Sequence, residues 1–176
     1  MSRLIEFRNR IYLHRRLEWL SPSQKQTYDR LRQLLSFQDT VNLYGARGAG
    51  KTFLTWVLSQ EVSTSFYSNL DKLEREATDR TTLAVVDPHP SLRSIVRGTL
   101  SNLHGLGYSR ILLVSEEPVA DQIPLCQLAL APTDFTKISQ NWSDISIPMA
   151  QFPKPLEGMN LHEVLREIAL SSLFTK

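Results

Sequence analysis

The sequence predicts an α/β domain built on a mainly parallel sheet of about five strands, with helices ahead of the sheet and a short helical tail behind it. Three observations carry that expectation. Two short runs, TLAVVD at 82–87 and RILLVS at 110–115, are almost continuously apolar, as strands buried on both faces are. Strand-like and helix-like segments alternate from residue 40 to residue 131, the pattern of parallel strands joined by helical crossovers. A glycine-rich loop, GARGAG at 45–50, lies between a β-branched run and an amphipathic segment. The length of 176 residues suits one domain with a full hydrophobic core, and no repeat or shift in composition marks a second. The expected division is therefore a single domain over 1–176: basic N-terminal helices to residue 38, a core over 39–132 and a C-terminal extension over 133–176.

Each element has a local reason. Residues 3–19 read as a helix, with Leu4, Phe7, Ile11 and Leu17 near one stripe and arginines between them. Ser21 then stands as an N-cap with Pro22 at the first helical position, where proline is tolerated, and a second helix runs on through SQKQTYDRLRQLLSF. TVNLYG at 40–45 is short, β-branched and aromatic, and ends in glycine, which predicts a strand. KTFLTWVLSQEV places Phe53, Trp56, Val57 and Gln60 at helical spacing. TSFYSN at 64–69 is a further strand, and the polar DKLEREATDR is a helix or an exposed connection. After TLAVVD, the segment PHPSLRSIVRGTLSNLHGLGY turns and forms a helix closed by Gly105 or Gly107. LCQLALAP at 125–132 follows RILLVS as a fifth strand, and TDFTKISQNW opens a helix capped by Thr133 or Asp134. DISIPMAQFPKP is extended, and NLHEVLREIALSSLF is a terminal helix with Leu161, Val164, Leu165 and Ile168 on one stripe.

Charge and cysteine content narrow the setting. A net charge of +2 excludes a polycation, but eight bases against three acids leave residues 1–35 at +5. That segment is either a face for DNA or an acidic protein, or a solvated amphipathic helix lying over the core. The single cysteine, Cys126, excludes an internal disulfide; a reducing, cytoplasmic setting and a buried structural thiol are the simplest expectation. No apolar run approaches the roughly 18 residues of a membrane span, and charge interrupts the N-terminus too often for a secretory signal.

The chemistry concentrates in GARGAGKT, which fits G-x-x-x-x-G-K-[ST] through Gly45, Gly50, Lys51 and Thr52. Glycines allow the backbone to approach a ligand closely, and consecutive N–H groups with the following helix N-terminus make an anion cradle. Lys51 reaches β- and γ-phosphates as a point charge, and the Thr52 hydroxyl is a ligand for Mg²⁺. The expected nucleotide-binding set is Gly45, Ala46, Arg47, Gly48, Ala49, Gly50, Lys51, Thr52 and Phe53. A glycine-rich turn with an incidental lysine is the plain alternative; the placement between a strand and a helix argues against it.

At this motif, and at the strand ending in Asp87, the chain resembles the P-loop NTPases over about residues 38–132. The resemblance implies a three-layer fold, ATP and Mg²⁺ as cofactors, and Thr52 and Asp87 as the residues holding the metal. Asp87 lies 36 residues after Lys51. That spacing is similar to the AAA+, STAND and RecA-like branch, in which one strand is inserted between the phosphate-loop strand and the Asp strand. RILLVS would be the insert, and its end, Ser115, falls where AAA+ proteins carry a polar sensor of the γ-phosphate. The N-K-x-D of translation-type GTPases and the L-S-G-G-Q of ABC ATPases are absent.

Two departures bear on activity. Active AAA+ members place a glutamate directly after the Asp to polarise the attacking water; here Pro88 stands there, and proline cannot act as a base. Glu116, Glu117 and His89 are the substitutes, which makes Lys51, Ser115 and Glu116 the candidate catalytic set. Only 44 residues follow residue 132, so a helical lid would be rudimentary, with Arg166 its one arginine. Arg93, Arg97 and Arg110 are open as fingers for a neighbouring subunit. Three functions follow: an ATP-dependent switch or weak ATPase, DNA-associated in the manner of a transposition or defence regulator and working as a homo-oligomer or hetero-complex; an inactive nucleotide-binding adaptor; or a small-molecule kinase. The residues leave the base open between adenine and guanine.

Overall fold

The computed structural model describes residues 3–67, 83–87, 108–119 and 122–145. The elements are α1 (Arg3–Leu13), a 3-10 turn (Leu17–Trp19), α2 (Pro22–Phe37), β1 (Thr40–Tyr44), α3 (Lys51–Leu58), β2 (Thr64–Tyr67), β3 (Leu83–Val86), β4 (Arg110–Ser115), β5 (Leu125–Gln127) and α4 (Asp134–Asp144). The expected helices after Asp87 and over 160–174, and the polar segment over 71–80, lie outside the described residues, as do Pro88, His89, Arg93, Arg97 and Arg166.

All five strands pair in parallel, in the order β2-β3-β4-β1-β5. The expected insertion is present: β4 lies between β1, which enters the glycine loop, and β3, which ends at Asp87. Strand alternation splits the core into two clusters. Val41, Leu43, Leu83, Val85, Leu112 and Val114 pack with Leu31, Leu35, Leu54 and Leu58 from α2 and α3. Ala84, Val86, Ile111 and Leu113 form the other cluster with Tyr67 and Tyr108, whose hydroxyls hydrogen-bond to each other. No helix among the described residues is long and apolar enough to cross a membrane.

Three expectations change, the first being that β5 ends at Gln127 rather than at residue 132. The first helix stops at Leu13 rather than running to residue 19. His14 Nδ1 contacts the Arg10 carbonyl at 2.9 Å, and the chain doubles back so that the His14 and Trp19 rings stack 4.6 Å apart. Asn141 of α4 then donates to the Trp19 carbonyl at 2.7 Å, and the buried Leu20 enters the core while Leu17 stays exposed. Tertiary packing thus overrides the apolar stripe that Leu17 would extend. On α3 the buried face is Leu54, Thr55, Val57 and Leu58, with Phe53 and Trp56 half-buried and Gln60 exposed beyond the helix end. A helix against a parallel sheet buries the residues nearest the strands, and these are one position on from the stripe that periodicity favoured.

Four of the eight bases of the N-terminal segment contact their own chain. Arg8 lies over the Trp56 ring, Arg15 over Tyr12, and Tyr12 meets Trp56 edge-on at 5.2 Å. Arg10 donates to the Ile145 carbonyl at 3.0 Å, and Arg32 pairs with Glu61 at 3.0 Å. α1 therefore straps α3 to the end of α4. The Cys126 thiol is fully buried, and burial pushes it up to about 11, which makes it a structural thiol as expected.

Of the two expected caps of α4, Thr133 takes the N-cap position, and Asp134 instead braces the first turn of α2. Its Oδ1 accepts from the Ser23 N–H at 2.9 Å and its Oδ2 from the Ala131 N–H at 2.6 Å. Burial alone would raise its pKa, but the hydrogen bonds from Ser23 and Ala131 outweigh it and hold the carboxyl below its ordinary range. A carboxyl depressed in the folded state contributes stability above its unfolded pKa, and that contribution fades as pH falls through the folded value. Asp134→Asn is expected to cost about 2 kcal/mol at neutral pH. The gap to the wild type should narrow below roughly pH 4, read as urea midpoints across pH.

Candidate functional site

In a parallel sheet the loops at the carboxyl ends of the strands share one edge. β1 ends at Tyr44, β3 at Val86 and β4 at Ser115, so the glycine loop, Asp87 and the Ser115–Glu117 turn meet there. Arg110 begins β4 and so lies at the opposite edge.

The loop's path depends on glycine at two points. A Cβ on Gly45 would collide with the Leu128 carbonyl just beyond β5. Gly50 adopts φ +96°, a left-handed conformation that L side chains rarely adopt, and a Cβ there would also meet the Gln24 amide. Gln24 is itself a support that spacing did not reveal. Its Oε1 accepts from the Ser21 N–H at 3.0 Å and its Nε2 donates to the Ala49 carbonyl at 3.1 Å, which ties the first turn of α2 to the loop.

The first α3 hydrogen bond runs from the Leu54 N–H to the Gly50 carbonyl. The N–H groups of Lys51, Thr52 and Phe53 thus have no partner within the helix and form its positive end. Ala46 and Arg47 are exposed, Gly48 is half-buried and Ala49 is buried. Phe53 packs its ring against the core, so its backbone N–H, not its side chain, is what it can offer a ligand.

Lys51 Nζ curls back over the loop and donates to the Gly45 carbonyl at 2.7 Å and the Ala46 carbonyl at 2.9 Å. Burial lowers its pKa, while the charges of Glu116 and then Asp87 favour the ammonium. Glu116, though exposed, is thus electrostatically coupled to the lysine from the end of the inserted strand. Thr52 Oγ1 donates to Asp87 Oδ2 across a long 3.4 Å. Burial raises the Asp87 pKa; the Thr52 hydrogen bond, Lys51 and Arg8 act against that rise. Arg8, which comes from α1 and leans on Trp56 one turn after Thr52, is a second contributor that spacing could not reveal. A hydroxyl beside a carboxylate is the hard-oxygen set that suits Mg²⁺, and the loop's N–H groups and Lys51 suit phosphate. The residues present fit both groups.

The Ser115 hydroxyl donates to the Glu117 carbonyl at 2.6 Å and accepts from Asn42 of β1 at 2.9 Å. Asn42 is a third residue that local sequence gave no reason to select.

Comparison with protein-family models and with curated protein sequences finds no match. Solved structures do match. A DNA replication initiation factor superposes with a TM-score of 0.54 at 17% identity, covering 85% of this chain and 59% of that one. AMPPCP-bound DnaA from Aquifex aeolicus gives 0.56 at 16% identity, covering 86% and 60%. Domain III of the replication initiation protein DnaA from Thermotoga maritima gives 0.58 at 14% identity, covering 88% and 85%. The chain thus spans about three fifths of the first two. It shares the fold of these replication initiation structures, a parallel sheet flanked by helices.

Proposed function

We propose that this chain binds ATP with Mg²⁺ and works as a nucleotide-dependent switch or weak ATPase associated with DNA. One observation carries the reading: Lys51, the Thr52–Asp87 pair and the Ser115–Glu116 turn converge at one edge of the sheet, beside a loop in which a Cβ on Gly45 would collide with the Leu128 carbonyl. The loop N–H groups and Lys51 hold the phosphates, and Thr52 and Asp87 hold Mg²⁺. Held by Thr52 and Asp87, the metal would supply positive charge against the phosphates. Ser115 senses the terminal phosphate, and Glu116 takes the place of the missing glutamate as the group that orients water. The likeness to an AMPPCP-bound DnaA favours adenine, and the likeness to replication initiation structures, with the +5 segment, supports DNA as partner.

An inactive adaptor is the second reading. It is favoured by Pro88, which follows Asp87 where a base would stand. Steady-state phosphate release from Mg-ATP, with Lys51→Ala as control, separates the two. Turnover that the mutant loses, and that rises faster than linearly with protein concentration, supports an oligomeric ATPase. Nucleotide binding with no turnover above the mutant supports the adaptor.

A further inference from the structure

β1 sends alternate side chains to opposite faces of the sheet. Val41 and Leu43 join the cluster under α2 and α3, which leaves Asn42 on the face of Ile111 and Leu113. That position calls for an apolar, strand-favouring residue. Asn42 is instead a completely buried amide with its hydrogen-bonding capacity directed at one neighbouring segment. Its Nδ2 donates to the Leu113 carbonyl at 3.1 Å and to Ser115 Oγ at 2.9 Å. Its Oδ1 accepts from the Val119 N–H at 3.0 Å. The amide orientation follows from these partners, because a flip would set an NH₂ against the Val119 N–H. The three bonds hold both ends of the stretch from Ser115 to Val119, and Glu116 lies inside it.

The hydroxyl of Ser115 has one hydrogen to give. Both Asn42 N–H groups are committed, one to Leu113 and one to Ser115, so Ser115 Oγ is the acceptor toward Asn42. Its own hydrogen goes to the Glu117 carbonyl. Ser115 can donate to a phosphate oxygen only by releasing that carbonyl. The serine therefore has two exclusive partners: the backbone beside Glu116, or a ligand.

We infer that Asn42 is a positioning residue for reading the terminal phosphate. It orients the Ser115 hydroxyl as a donor and anchors the 115–119 segment. Capture of the Ser115 hydrogen by a γ-phosphate then frees the Glu117 carbonyl and lets Glu116 shift. This inference rests on the nucleotide-binding reading above and deepens it: Asn42 should set the preference for triphosphate over diphosphate, not affinity in general.

The test is calorimetric affinity for Mg-ATP and Mg-ADP in the wild type, Asn42→Leu, Ser115→Ala and the double variant. The wild type is expected to favour ATP. Asn42→Leu should lower the ATP-over-ADP ratio by about tenfold, the size of one lost hydrogen bond to a charged group, with ADP affinity nearly unchanged. The double variant should match Ser115→Ala alone, because Asn42 acts through that hydroxyl. If Asn42→Leu does not fold, Asn42→Ser carries the same comparison. A lower melting temperature with an unchanged ratio would mean a purely structural amide and overturns the inference, as would additive losses in the double variant. A wild type that binds both nucleotides equally overturns it while leaving nucleotide binding intact. A wild type that binds neither overturns the functional reading itself, and the inference with it.

Discussion

Lys51→Ala is expected to abolish the rise in melting temperature that Mg-ATP gives the wild type. The ammonium already rests on the glycine loop, on the Gly45 and Ala46 carbonyls. Charge-assisted bonds to phosphate oxygens contribute roughly 1.5–3 kcal/mol each, so losing contacts to two phosphates should weaken binding by about 100-fold or more. At a ligand concentration near 100 times the wild-type Kd, binding stabilises by about 2.7 kcal/mol, and nearly all of it should vanish in the variant. Without nucleotide the variant should melt slightly lower, since two loop carbonyls lose their donor. The measurement is a thermal melt with and without Mg-ATP. An equal rise in both proteins would place the nucleotide somewhere other than this loop.

Leu43→Ala should produce the largest loss of stability, with a different signature. Leu43 is fully buried in the middle of β1, in register with Val114 on one side and Cys126 on the other. Rigid strands on both sides leave little room for the cavity to collapse, so a loss of about 3–4 kcal/mol is expected. For a chain of this size that corresponds to a fall of about 10 °C in melting temperature. The side chain makes no contribution to the loop's charge, so the increment given by saturating Mg-ATP should survive. A loss under about 1 kcal/mol would mean that β1 is not held as firmly as its two parallel neighbours imply.

The two variants divide along a line that also separates what the sequence reveals from what it conceals. Strands β3 and β4 were legible because burial on both faces leaves a continuous apolar run, and the glycine loop because its glycines, lysine and threonine fall within one short stretch, residues 45–52. The inserted position of β4 was legible only through resemblance, and the order of the sheet bears it out. The supports were not legible. Gln24 reaches Ala49 across 25 positions, Asn42 reaches Val119 across 77, and Asp134 reaches Ser23 across 111. Each is a polar residue whose partner is set by the three-dimensional fold, and no local period marks it. The same holds for the break at Leu13, where the pull of Trp19 and Leu20 toward α4 outweighs a helical stripe that looked continuous.

The parallel pairing of β1 also sets when the loop can first take shape. A hairpin partner would lie a few residues away. Asn42 instead meets Leu113 across a separation of 71 residues, and β5 lies further on still. Contacts this distant carry a loop-closure cost before they return any stabilisation, which places such a fold among the slower single domains. On a ribosome, the glycine loop would emerge early and wait as unstructured chain until β4 and β5 had left the exit tunnel. On the proposed nucleotide-binding reading, nucleotide would then act only on a nearly finished core, and the order of synthesis itself would keep partly made chains from engaging it.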